Sequence, residues 1–304
     1  MSHEAYAGAD EGEEAFPPAV VDEQPIAPRI VDLTIDSRAL RARTKVRLIL
    51  PKRFYADARR RWPVLYLLYG CCDDYTAWTR ETDIAALTAN TDVLVVMPEA
   101  DRVGWYSNWW NHGRGGPPGW ETFHLTEVRS ILERSYRASG RRAIAGLSMG
   151  GFGALSYVAR HPGMFSAAAS FSGVIDTRFR DTPKLLQELV AAHGRDPLAL
   201  WGDPKKQEWI WRVHNPADLA FLLLGTPLYI SCGNGKAGPL DPPGQPDDPN
   251  EVRWNAMNVE FAKKLRFLGA NVRVNLYGPG THTWPYWQRE MHIAFPMLMR
   301  AIGA

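Results

Sequence analysis

Short apolar segments alternate with amphipathic ones along this chain from residue 30 onward. Six of the apolar segments carry hydrophobic side chains on both faces, which is typical of parallel strands covered by helices on both sides. They are residues 64–70, 93–98, 143–147, 167–172, 227–232 and 272–277. Two earlier segments, 30–37 and 44–51, predict an antiparallel start to the same sheet, ended by Pro51.

Helical patterns lie between and after these strands. Apolar residues at spacings of three and four positions predict helices at 125–132 and 254–268, and the second is expected to stop at Gly269. The segment 285–302 is also predicted to be helical, with Pro296 bending it. Strands that alternate with helices in this way predict an α/β fold with a doubly wound, mostly parallel sheet.

Charge separates the start of the chain from this domain. The first 25 residues contain seven acidic residues and no Lys or Arg, and they lack the basic start and apolar core of a signal peptide. Low hydrophobicity with one-sided charge predicts a disordered acidic tail over 1–28. Residues 29–304 are expected to form one domain, with 174–225 as a helical insertion over the active-site edge of the sheet.

Overall composition narrows the classes of partner. The 304 residues carry 35 basic and 33 acidic side chains, without a long basic run, so nucleic acid is not an expected partner. The apolar segments are too short to span a bilayer. Three cysteines, of which Cys71 and Cys72 are adjacent, argue against a disulfide framework and match no metal-binding spacing. No metal and no cofactor are predicted.

The clearest chemical motif is G-x-S-x-G at residues 146–150, with Ser148 at its centre. It follows a predicted buried strand directly and precedes a helix that begins with small residues. Small neighbours let a strand and a helix approach around the strained turn that presents a nucleophilic serine. The context predicts Ser148 as a catalytic nucleophile rather than as a turn residue.

A serine nucleophile needs a histidine base. Of the eight histidines, His282 stands directly after the last predicted strand, where this fold places the base. His292 lies deeper in the C-terminal helix and is expected to be structural. Two backbone N–H groups must also face the developing oxyanion. We expect them to belong to Met149, next to the serine, and to Cys71, after the first central strand.

The acid that orients the histidine is expected after the strand at 227–232. Four carboxylates are available there: Asp241, Asp247, Asp248 and Glu251. Asp241 is nearest to the end of the strand and follows an apolar residue, so it is the predicted acid. The other three fit a solvated helix start, where acidic residues interact favourably with the helix dipole.

Candidate substrate-binding residues lie in the neighbouring loops. Trp109 belongs to a tryptophan-rich loop that is expected at the ligand-binding edge of the sheet, and Trp284 flanks the predicted base. Aromatic walls of this kind suit an acyl or aryl group. Asp73 and Asp74 are candidates for binding hydroxyl groups.

Together, LYLLYGCCDDYTAW, GLSMGGFGALSYVARHPGMFSAAASFSG, CGNG and THTWPYW resemble the esterase D type of α/β-hydrolase. Within that group the chain is most similar to mycolyltransferases of the antigen-85 type, from about Ile30 onward. The resemblance implies the α/β-hydrolase fold, Ser148 as nucleophile, His282 as base and an acid after CGNG. It also implies an oxyanion hole formed by the amides of Cys71 and Met149. The proteins that share these motifs are often secreted.

One segment departs from the mycolyltransferases. They carry a longer stretch with a sugar-contacting arginine before DDY, where only Cys71 and Cys72 stand here. We therefore expect a serine carboxylesterase that hydrolyses a small-molecule ester through an acyl-enzyme. Two alternatives stay open: an acyltransferase of the mycolyl type with a sugar or glycerol acceptor, and a non-catalytic binding protein on the same fold.

Overall fold

In the computed structural model, which describes residues 18–304, nine strands form one sheet. The strands are β1 (Ala19–Ala27), β2 (Ile30–Ser37), β3 (Ala42–Ile49), β4 (Trp62–Leu68), β5 (Leu94–Pro98), β6 (Ala138–Leu147), β7 (Ala167–Phe171), β8 (Leu228–Cys232) and β9 (Val272–Leu276). Their order across the sheet is β1-β2-β3-β5-β4-β6-β7-β8-β9. In this order, the first three pairs, from β1 across to β5, are antiparallel. The remaining five pairs, from β5 across to β9, are parallel.

All eight strands that the hydrophobic pattern predicts are present, and the doubly wound, mostly parallel sheet is confirmed. Every residue of β4, β5, β7 and β8 is buried. Both faces of these strands must therefore be covered, which explains why their sequences are apolar without alternation.

Strand β1 corrects the predicted extent of the acidic tail. Residues 1–17 lie outside the described residues, but Ala19–Ala27, which we expected to belong to the tail, pair antiparallel with β2. The strand is exposed along nearly its whole length, so it has no buried face for a hydrophobic pattern to reveal. Backbone pairing holds it in place, together with a hydrogen bond of 2.5 Å from the Tyr136 hydroxyl to Glu23.

Nine α-helices accompany the sheet within residues 18–304. They are α1 (Ala77–Glu81), α2 (Ile84–Leu87), α3 (Trp120–Thr122), α4 (Arg129–Ser135), α5 (Met149–Arg160), α6 (Thr182–Ala192), α7 (Glu208–His214), α8 (Pro249–Phe267) and α9 (Trp284–Ile302). A π-helical turn at Phe123–Val128 joins α3 to α4. The three predicted helices are confirmed, although the first contains this turn. None of the described helices has the length and apolar character needed to cross a bilayer.

The segment 174–225 contains α6 and α7 and is anchored by buried aromatic side chains. Trp201 and Trp211 are almost fully buried, and their ring centroids lie 5.1 Å apart. Trp201 also packs against Phe152 of α5 at 5.4 Å. Because aromatic side chains bury large apolar areas, these contacts fix the segment to the helix that begins at the G-x-S-x-G turn.

Candidate active site

Ser148 occupies the turn between β6 and α5 in a conformation that L-residues rarely adopt, with φ 52° and ψ −119°. Its neighbours must be small. A Cβ atom on Gly146 would overlap the carbonyl oxygen of Gly150, and one on Gly150 would overlap that of Leu68. The Ser148 amide donates to the Phe171 carbonyl at 2.9 Å, which ties the turn to β7. The glycines thus permit a strained turn that the sheet holds in place.

Two cavities meet at this turn. One has a volume of about 380 Å³ and the other of about 320 Å³, and Ser148, His282 and Cys71 line both. The larger one is bounded by leucines of α6. The smaller one is bounded by Asp73 and Trp284. A molecule in either cavity would lie beside both the serine and the histidine.

The imidazole of His282 is oriented by Glu251. Its Nδ1 lies 2.6 Å from Oε2 of Glu251, a side chain that is fully buried in the first turn of α8. Oε1 of the same carboxylate accepts from the Gly233 amide at 2.7 Å. In the neutral imidazole with its proton on Nδ1, that atom donates to the carboxylate, and Nε2 carries no proton and can accept one.

A further set of buried contacts supports this pair. The Ser172 hydroxyl donates to Oε1 of Glu251 at 2.6 Å and accepts from the Trp287 indole at 3.1 Å. The Trp287 ring stands edge-on to the imidazole of His282, with centroids 4.8 Å apart. The Cys232 thiol lies 3.3 Å from Oε1, and burial raises its pKa well above the ordinary value. The carboxylate and the ring are therefore fixed from several sides.

The prediction that Asp241 orients His282 is wrong, because the carboxylate of Asp241 has other hydrogen-bond partners. Its carboxylate accepts from the Tyr286 hydroxyl and the Gly238 amide, both at 2.8 Å, and from the Thr281 hydroxyl. Burial raises the pKa of Asp241, but these hydrogen bonds outweigh it and hold the pKa below its ordinary value. Asp241 therefore braces the residue before His282, whereas the imidazole itself contacts Glu251.

The two amides expected to form an oxyanion hole lie on adjoining turns. A Cβ atom on Gly70, the residue before Cys71, would be 3.2 Å from the Cβ of Ser148. Neither the Cys71 nor the Met149 amide has a backbone acceptor within residues 18–304. For Met149 this is usual, because the first amides of a helix have no partner within the helix. Both remain available to a ligand.

A disulfide joins the adjacent residues Cys71 and Cys72, although the cysteine count and spacing argued against a disulfide framework. The backbone of Cys72 is left-handed there, with φ 71°. Cys232 is free and buried. In the part of the chain that the structure describes, no cluster of His, Cys, Asp and Glu is arranged to hold a metal ion.

The predicted substrate-binding residues fall into two groups. Asp73 and Trp284 line the smaller cavity beside Ser148. Asp74 lines a separate cavity of about 600 Å³ and lies 3.6 Å from Arg80. Trp109 is only 5% exposed, lines neither cavity of Ser148, and donates its indole N–H to a backbone carbonyl at 3.1 Å. It is a core residue, because its loop folds inward there.

Residues 37–298 match the model of the Esterase family. The chain belongs to the esterase family. It is 31% identical to the diacylglycerol acyltransferase/mycolyltransferase Ag85B of Mycobacterium leprae over 254 residues, 80% of this chain and 77% of that protein. It is 36% identical to the esterase Rv1288 of Mycobacterium tuberculosis over 257 residues, 82% of this chain and 55% of that one.

Solved structures agree on the fold of this chain. Mycobacterium tuberculosis MPT51 superposes with a TM-score of 0.72 at 22% identity, covering 95% of this chain and 100% of that one. A ferulic acid esterase superposes with a TM-score of 0.66 at 24% identity, covering 90% and 98%. The resemblance inferred from the motifs, including the α/β-hydrolase fold, is confirmed.

Proposed function

We propose that this protein is a serine carboxylesterase that hydrolyses small acyl esters through an acyl-enzyme on Ser148. The observation that carries the proposal is the contact of 2.6 Å between His282 Nδ1 and the buried Glu251, beside cavities that Ser148 also lines. A serine, a histidine and a carboxylate in this relationship are the parts that acyl transfer requires.

In the first half-reaction, the Ser148 oxygen bonds to the ester carbonyl carbon while its proton passes to Nε2 of His282. The Cys71 and Met149 amides donate to the oxyanion that develops. The bond to the alcohol oxygen then breaks, and His282 gives its proton to that oxygen. Glu251 keeps the imidazole in the required tautomer and stabilises its cationic form.

In the second half-reaction, water attacks the acyl carbon and gives a proton to Nε2 of His282. The bond to the Ser148 oxygen breaks, and that oxygen recovers the proton. The free acid leaves and the enzyme is restored. The same two amides hold the second oxyanion, so that one site serves both steps.

Water as the acceptor is supported by the loop after β4. The longer arginine-bearing stretch of the mycolyltransferases is absent between Cys71 and Asp73. The next cation along the chain, Arg80, is held by Asp73 at 2.6 Å and by Glu81 at 2.8 Å. A transferase must bind an alcohol well enough to exclude water, and this loop offers no unpaired cation for that purpose.

Acyl transfer to an alcohol is the second candidate function. The similarity to Ag85B favours it, and so does the polar lining that Asp73 and Thr283 give to the smaller cavity. An alcohol bound there would take the place of water in the second half-reaction, with His282 again accepting its proton. The two functions share every step up to the acyl-enzyme.

The test begins with a fluorophosphonate, which labels an activated serine. Wild-type protein should label stoichiometrically and Ser148→Ala should not; labelling of the variant would reject Ser148. A p-nitrophenyl ester is then turned over with and without trehalose, glucose or glycerol, and the products are identified by mass. Free acid should dominate in every case. Transfer of most of the acyl group to an acceptor at millimolar concentration would replace hydrolysis by acyl transfer.

A further inference from the structure

Helix α6 supplies an apolar wall to the larger of the two cavities beside Ser148. Leu185 and Leu189, one turn apart on the helix, are half-buried and line the cavity. Leu186 lies between them, only 2% exposed, and Val190 is fully buried. The helix therefore has a row that anchors it to the core and a neighbouring row that stays accessible from the cavity.

The remaining walls of this cavity are also mostly apolar. Trp105 and Trp254 are nearly buried and contribute aromatic surface, and Val174 adds an aliphatic side chain. Apart from Ser148 and His282, the polar side chain among the described residues that line it is Asn250. A volume of about 380 Å³ is at the small end of the range for ligand sites. The cavity suits a compact apolar group.

The smaller cavity is lined by two polar side chains that the larger one lacks. The carboxylate of Asp73 and the hydroxyl of Thr283 lie on its wall together with Trp284. Water and alcohols can hydrogen-bond to such groups, whereas an acyl chain cannot. Ser148 thus stands between a cavity with an aliphatic wall on α6 and a cavity that carries a carboxylate and a hydroxyl.

We infer that the larger cavity binds the acyl chain of the substrate and that Leu185 and Leu189 determine the acyl length accepted, an inference that rests on the proposed function. The acyl group stays on Ser148 through both half-reactions, so apolar burial serves it throughout. The alcohol must leave and water must enter, which the smaller cavity permits. The substrates are esters of short to medium-length carboxylic acids.

The value of kcat/KM should depend on how much of the acyl chain is buried in the larger cavity. Each methylene removed from water is worth about 0.8 kcal/mol, equivalent to a three- to fourfold gain in kcat/KM. From p-nitrophenyl acetate towards the octanoate, kcat/KM should rise by about this factor per methylene until the cavity is full, and then level off or fall. A flat profile from acetate to octanoate in the wild-type protein would contradict the inference.

The decisive variants narrow the cavity at its α6 wall. Leu189→Trp and Leu185→Trp should lower kcat/KM for the octanoate at least tenfold, while the value for the acetate stays within about threefold of wild type. Leu198→Trp is the matched control, since Leu198 lies in the same segment, is 37% exposed and lines neither cavity of Ser148. It should leave both rates unchanged. Circular dichroism and Tm establish that each variant is folded.

Leu189→Ala provides a second test that does not depend on accommodating a larger side chain. Removing part of the apolar wall should lower kcat/KM for the octanoate more than for the acetate, so that the ratio of the two values falls severalfold. Equal losses on both esters, or no loss on either, would overturn the assignment of the cavity. The assignment would also fail if Leu189→Ala changed the relative rates on methyl, phenyl and naphthyl acetates, because α6 would then contact the alcohol. Failure of the wild-type protein to hydrolyse either ester would instead reject the proposed function.

Discussion

The backbone amide of His282 donates to the carboxylate of Asp248 at 3.1 Å. Asp248 is also the N-cap of α8, where its other oxygen accepts from the amides of Asn250 and Glu251 at 2.9 and 3.1 Å. One aspartate therefore holds the backbone of the candidate base and starts the helix whose first turn carries Glu251. The position of the imidazole and that of its carboxylate partner are set by the same turn.

Replacing each candidate carboxylate by the corresponding amide distinguishes Glu251 from Asp241 as the acid. Glu251→Gln should lower kcat for p-nitrophenyl acetate by about 10³- to 10⁴-fold, because an amide cannot stabilise the imidazolium or maintain its tautomer. Asp241→Asn makes the same chemical change at the predicted acid and should keep kcat within a few-fold. Steady-state kinetics on the two purified variants decide the matter. A dead Asp241→Asn beside an active Glu251→Gln would restore the original assignment.

Substitutions at Asp248 separate capping from positioning. Asparagine caps helices as well as aspartate does, but its amide nitrogen cannot accept a hydrogen bond from the His282 amide. Asp248→Asn should therefore keep the Tm of the wild type and have a lower kcat. Asp248→Ala should lose kcat and also lower Tm by about 2 °C, as expected for about 1 kcal/mol of lost capping in a chain of this size. Thermal melts and kinetics are compared for both. Unchanged kcat in Asp248→Asn would show that the contact with His282 has no catalytic consequence.

Ser172 should act on the rate through Glu251. Ser172→Ala removes the donor to Oε1 and leaves the Trp287 indole without its acceptor, so the carboxylate is held less firmly. We expect kcat to fall about tenfold, in line with a hydrogen bond to a charged group, while KM changes little. Trp287→Phe keeps an aromatic ring beside His282 and removes the indole donor alone, and it should have the smaller effect. A rise in KM at constant kcat would indicate substrate contact instead.

Stability should fall on acidification because two histidines are buried as neutral groups. Burial lowers the pKa of His124 and that of His214 to about 4 each, against about 6.5 in an unfolded chain. Between these values the unfolded state binds more protons, so the free energy of unfolding rises with pH. The contribution is fully present above about pH 6.5 and is lost as the pH falls towards 4.

Urea unfolding at several pH values between 4.5 and 7 measures this effect. In His214→Gln the slope of the free energy of unfolding against pH should be smaller by up to about 1.4 kcal/mol per pH unit. Equal slopes for His214→Gln and wild type would show that His214 does not contribute.

The sheet could be predicted where burial leaves a mark on the sequence. Strands β4, β5, β7 and β8 are covered on both faces, so their apolar segments are visible without a structure. Strand β1 is held by backbone hydrogen bonds, which depend little on the identity of the side chains, and its exposed side chains resemble those of a tail. Pairing between backbones has no signature in the hydrophobic pattern.

The positions of Ser148 and His282 in the fold could be predicted because their signals are local. Ser148 is surrounded by the small residues that its turn requires, and His282 follows the last strand. The acid depends on where the segment after β8 returns to the sheet, which distance along the chain does not reveal. A helical signal for Glu251 was nevertheless present, since it precedes buried Trp254 and Phe261 by three and ten positions on one face of α8.

Strand β1 forms an edge of the sheet, where unpaired backbone groups invite a strand from another molecule. Its sequence discourages that pairing. Asp22 and Glu23 place like charges along the edge, Pro25 has no N–H to donate, and the register with β2 is interrupted between Pro25 and Ala27. The acidic residues of β1, which make its sequence resemble a tail, therefore oppose edge-to-edge association between copies of the protein.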